Sequence, residues 1–188
     1  MKSLVIFLTS TLSLLCVSFN PIGKPPKEVA LQFYNWYLKN IYSSPSDKLS
    51  NPDIKLINST YQIISEAQFE RLRKTNFFSN EYYKNQTVIY NACNVQLSKV
   101  GIKQVEKCGC SPTTFVESNE CDFIGYYTWI GGQGETINTA KVIKVETIGN
   151  LSKVTIRLSY YQTAYSLSEV TLLKEDGNWK ISRIKVHF

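Results

Sequence analysis

Cys93, Cys108, Cys110 and Cys121 place four thiols within 29 residues. Such a set can form disulfides, hold a metal or supply a nucleophile. Metal ligation fits poorly, because the C-x-C doublet departs from the usual C-x-x-C knuckle and no histidine lies nearby. Nucleophilic catalysis needs a base within reach, and the chain has one histidine, His187, beside its last residue. Paired disulfides are therefore expected, and no metal or cofactor. Four cysteines allow three pairings. The pairing that closes Cys108 onto Cys110 leaves one residue between the partners and is expected to be strained. Two pairings remain, each joining Cys93 and Cys121 to one member of the doublet.

No other catalytic spacing stands out. There is no G-x-S-x-G and no H-E-x-x-H. Gly131-Gly132-Gln133-Gly134 lacks the lysine and following helix of a phosphate loop and reads as a flexible connection between strands. A carboxylate held among tyrosines in an enclosed pocket could remove a proton next to a carbonyl, and Asp122 with Tyr126, Tyr160 and Tyr161 are the candidates for that. Binding asks for less. Tyr126, Tyr127, Trp129, Tyr160, Tyr161 and Tyr165 make this region strongly aromatic, and such rings bury large areas against a partner at low entropy cost. The competing use of the same rings is core packing.

The address of the chain limits these options. Lys2 precedes a run from Leu4 to Leu15 that is apolar apart from Thr9, Ser10, Thr11 and Ser13, and Cys16, Val17 and Ser18 follow. This is the pattern of a signal peptide over residues 1–18, cut before Phe19, and it is too short to span a bilayer. Cys16 offers a second processing route, lipidation as in bacterial lipoproteins, although Leu14 and Leu15 are poor neighbours for that enzyme. The expected location is periplasmic, cell-envelope or extracellular, with membrane contact only through a lipid on Cys16. Without Lys2 the chain carries 20 Lys and Arg against 15 Asp and Glu, a net +5 that is scattered along the sequence. Scattered charge argues against nucleic acid as a partner. Sequons at Asn58, Asn85 and Asn150 matter only in a eukaryotic secretory pathway.

The elements that must position these residues change character half-way. Pro25 and Pro26 open a helix expected over 27–42, with Ala30, Phe33, Tyr34, Tyr37 and Ile41 on one face. Ser65 is expected to cap a second helix, and Asn80 a third that ends near Leu97. A cysteine-rich insertion follows at about 99–121. Beyond it the period becomes two: strands are expected over 122–130 and 139–147, and Val154, Ile156, Leu158 and Tyr160 alternate with polar residues. Asp176-Gly177 closes a final hairpin, in which a change of parity calls for a bulge near Ser182 and Arg183. Helices followed by antiparallel strands define a single exported α+β domain, 19–188, with N-terminal helices packed on a strongly curved sheet.

The segment F-Y-N-W-Y-L at 33–38 and the closing L-L-K-E-D-G-N-W-K-I-S-R-I at 172–184 resemble nuclear transport factor 2-like proteins. More narrowly, they resemble a bacterial family of exported proteins and envelope lipoproteins called domain of unknown function 3828. The likeness runs from about Pro26 to Phe188 and leaves the insertion unmatched. It implies a cone-like fold, often with an enclosed pocket, in which members variously catalyse, bind small molecules or dimerise. The resulting expectation is a non-enzymatic exported domain that binds a protein partner or small ligand at the bacterial cell envelope. The alternatives are a small pocket enzyme of isomerase or hydrolase type and a periplasmic immunity protein.

Overall fold

The computed structural model describes residues 23–41, 47–124, 127–131, 137–161 and 163–187. The expected signal segment, Cys16, Tyr126 and most of the glycine-rich connection lie outside these residues.

Helix α1 spans Pro26–Asn40, entered through Pro25 in an extended conformation. Proline at the first helical position sacrifices a donor that has no partner there anyway. Val29, Ala30, Phe33, Tyr34 and Tyr37 form its buried face. After the short α2 (Asp47–Ser50), β1 (Asp53–Ile57) and β2 (Thr60–Ile64) make a two-stranded hairpin. Its turn residues Asn58 and Ser59 both have positive φ, 48° and 64°, the backbone that matches the twist of a two-residue hairpin loop. This hairpin was not anticipated, because Asn-Ser is a weaker turn signal than Asn-Gly.

Helices α3 (Glu66–Thr75) and α4 (Asn80–Leu97) follow. The cap of α4 is Ser79, one residue before the expected Asn80: its side chain accepts a hydrogen bond from the Tyr82 amide at 3.1 Å. Ser65 does precede α3, but its side chain makes no capping hydrogen bond. The insertion is compact, with α5 (Ile102–Cys108) and 3-10 turns at Pro112–Phe115 and Asn119–Cys121.

The sheet is a four-stranded antiparallel meander in the order β3 (Thr139–Ile148), β4 (Leu151–Tyr160), β5 (Thr163–Glu175), β6 (Asn178–His187). Each neighbouring pair carries one unpaired residue. Register slips past Ile143 between β3 and β4, past Tyr165 between β4 and β5, and past Ser182 between β5 and β6. The last lies where the parity change in the sequence required a bulge. Val154, Ile156 and Leu158 are fully buried as their alternation implies, whereas Tyr160, two residues on, is 44% exposed at the end of the strand. The expected strand at 122–130 does not form among the described residues, which are turns at 122–124 and 128–130. There the chain serves the core through Trp129 and Ile130 instead.

Helix α1 lies on β3, β4 and β6, and α4 touches β2 and β6. Between them sits an aromatic core in which Phe33 meets Tyr34, Phe77, Phe78 and Trp129 edge-on, with centroids 5.1 to 5.7 Å apart. Edge-to-face pairs add to area burial by roughly 0.5–1.5 kcal/mol each. A short parallel bridge from Phe78 to Ile181 fastens the α3–α4 junction to β6.

Candidate functional site

The residues singled out in the sequence go to different places. Trp129 is 4% exposed and lies 4.9 Å from the Tyr37 ring and 5.2 Å from Phe33. Its carbonyl accepts a hydrogen bond from the Tyr34 hydroxyl at 2.8 Å, and that hydroxyl also reaches Ser168 Oγ at 2.5 Å. Trp129 is thus a core residue and offers no surface to a partner. Tyr127 and Tyr165 are half-buried and pack against the same core. Asp122 is exposed, directly after the Asn119–Cys121 turn. His187 is exposed at the end of β6. Asp122 follows the insertion, whereas Tyr160 and Tyr161 lie at the far end of β4.

Tyr160 and Tyr161 remain at the surface, 44% and 68% exposed. They sit at the β4–β5 hairpin, where Tyr160 pairs with Thr163 and Tyr161 opens the turn. That position needs a left-handed backbone, and Tyr161 adopts it with φ 52°. A residue with a β-carbon incurs about 1–2 kcal/mol there relative to glycine. The Asn138 side chain supports the turn by accepting from the Tyr161 amide at 3.0 Å. The two rings meet edge-on at 4.6 Å.

A cleft of about 480 Å³ opens between the start of α1, the end of α3 and the β5–β6 turn. Lys24, Gln32, Asn76, Asn178 and Lys180 give it polar walls, Phe77 and Trp179 apolar ones, and none of its described lining residues is acidic. Lys180 donates to the Asn76 carbonyl at 2.6 Å and to Asn76 Oδ1 at 2.5 Å. Its partial burial holds the ammonium below the ordinary lysine value, and the nearby Glu175 carboxylate only partly offsets this.

The cysteines pair in the way the sequence reading rejected. Cys93 bonds to Cys121, with Cα atoms 5.0 Å apart, and Cys108 bonds to Cys110, with Cα atoms 5.2 Å apart. Gly109 makes the second closure feasible: with φ 66° it turns the chain back at the end of α5, bringing the Cα atoms into the range a disulfide spans. The bonds differ in role. Cys93–Cys121 is buried and ties α4 to the end of the insertion. Chain-entropy arguments give its long loop about 3–4 kcal/mol. The Cys108–Cys110 ring has one intervening residue, and the same argument gives it only about half of that.

Both disulfides are compatible with an oxidising, extracytoplasmic setting. No helix among the described residues is long and apolar enough to cross a membrane. No family model matches the chain, and no curated protein or solved structure matches it either.

Proposed function

We propose that this chain is an exported, non-enzymatic binding domain that recognises a protein partner through the Tyr160–Tyr161 hairpin. The observation that carries this reading is the pair of exposed tyrosine rings on a tight turn whose first residue adopts a backbone unfavourable to tyrosine. A side chain kept in a costly conformation at the surface has no packing reason to be there, and such outliers cluster at functional sites. Two rings in edge contact also present a preorganised apolar anchor with hydroxyls at its rim, the chemistry favoured at interface centres.

The order of helices followed by an antiparallel meander supports a cone-like, nuclear transport factor 2-like fold, and the three bulges supply the bends such a sheet requires. The signal-like leader and the disulfides support placement at the bacterial cell envelope. A second reading is favoured by the cleft beside Lys180: two lysines, three amide side chains and an indole, with no acidic residue among the described lining, suit a small anionic ligand.

The test is affinity copurification of a defined partner from cell envelopes. Wild-type protein retains a stoichiometric partner, and Tyr160→Ala/Tyr161→Ala loses it with an unchanged circular-dichroism spectrum. Equal retention by the folded variant would overturn the reading, and loss in Lys24→Ala/Lys180→Ala instead would move the site to the cleft.

A further inference from the structure

The two disulfides carry very different burdens. Cys93 and Cys121 are buried, and breaking their bond would expose thiols inside the core. Cys108 is exposed and Cys110 half-buried, at the surface end of α5, with only Gly109 between them. Closing so small a ring removes little freedom from the unfolded chain, so this bond contributes little to holding the fold. Exposed disulfides with little structural duty are the labile, exchange-competent ones, whereas buried staples resist reduction.

We propose that Cys108-Gly109-Cys110 is a thiol–disulfide exchange site whose substrates are exported peptides or proteins bearing two cysteines. The inference is independent of the tyrosine hairpin. Exposure selects Cys108 as the sulfur attacked, because Cys108 is exposed and Cys110 only half so. The leaving group is then Cys110. Lys103 and Lys107 on α5, against the single Glu106, add a positive surround that favours thiolate over thiol.

The exchange balances without any further reactant. A substrate thiolate attacks Cys108 Sγ, the Cys108–Cys110 bond breaks, and Cys110 leaves as thiolate and takes up a proton. The second substrate thiolate then attacks the substrate sulfur of the mixed disulfide, and Cys108 leaves and is protonated in turn. Two electrons and two protons pass from the substrate dithiol to Cys108 and Cys110; the substrate gains a disulfide. Gly109 suits both states, since its open surroundings and lack of a side chain let the turn relax when the bond opens.

The experiment uses the oxidised full chain in graded glutathione buffers, with thiols trapped by alkylation and located by peptide mass mapping. Cys108 and Cys110 become alkylated at buffer ratios where Cys93 and Cys121 remain bonded and the circular dichroism is native. In parallel, the oxidised protein forms the disulfide in a reduced synthetic peptide bearing two cysteines, and Cys108→Ser/Cys110→Ser lowers the initial rate by roughly tenfold or more. Cys110→Ser, offered the same peptide in its disulfide form, has no bond of its own to be attacked: the free Cys108 thiolate opens the peptide disulfide, releases one peptide thiol and holds the other as a mixed disulfide. Simultaneous reduction of all four cysteines, or an undiminished rate in the double variant, would overturn the proposal. The redox titration needs no variant, so misfolding of the double variant leaves that test intact.

Discussion

Tyr161 shows how one residue can be costly to the fold and useful to the surface. Its φ of 52° belongs to the region in which glycine rests without penalty. Tyr161→Gly should therefore stabilise the protein by about 0.5–1 kcal/mol, measured by urea denaturation, while abolishing partner retention. A structural tyrosine would show the opposite sign, since its removal would lose packing. Trp129 illustrates the reverse case. In the sequence it is one of a run of aromatics equally suited to a surface or a core, and its ring packs inside a core with α1 and the α3–α4 junction. Nothing in its neighbourhood along the chain distinguishes it from Tyr127, because what buries it comes from nearly a hundred residues upstream.

Local signals differ in how well they define elements. The face of α1 and the alternation of β4 follow from apolar spacing, which needs no tertiary information. Caps are finer than that. Ser65 and Ser79 both precede helices, yet only Ser79 accepts a capping hydrogen bond, and it is completely buried. Ser79→Ala should cost about 1–2 kcal/mol in a thermal or urea melt, whereas Ser65→Ala should cost a few tenths. Comparable losses in the two variants would show that the Ser79 bond adds nothing. The β1–β2 hairpin carries a weak local signal because its turn is Asn-Ser, although Ile54 and Leu56 pair with Ile63 and Tyr61 across it.

At the scale of the whole molecule, the core is unusual in being built from tyrosines. Burial raises the ionisation of Tyr34, Tyr82 and Tyr90 well above the ordinary value of 10.0, against weaker opposing hydrogen bonds, and pushes Tyr83 up to about 12 despite the Arg73 guanidinium over its ring. The fold therefore binds these protons more tightly than the unfolded chain does. Its stability is fully present below pH 10.0, the unfolded value, and is lost as pH rises from there through the range in which Tyr83 ionises, about 12. Urea midpoints should fall steeply above about pH 10, with tyrosinate absorbance from Tyr34, Tyr82 and Tyr90 appearing only on unfolding. Midpoints that stay level across that range would show that the rings are not protected from water.

Much of this architecture was legible in the chain itself: the antiparallel sheet closing the chain after a mostly helical half, the faces of α1 and β4, the turn at Asp176-Gly177, and the bulge at Ser182 forced by a change of parity. These follow from periodicity and turn chemistry, which act between near neighbours. The cysteines were legible as disulfide formers but not as pairs. Spacing alone ranked Cys108–Cys110 as unfavourable, and only the left-handed turn at Gly109, together with the docking of the insertion's end against α4, decided that Cys121 meets Cys93. Likewise, sequence identified a set of candidate aromatic anchors, and tertiary packing sorted them. Burial is set by contacts far apart along the chain, and these put Trp129 inside and left Tyr160 and Tyr161 out.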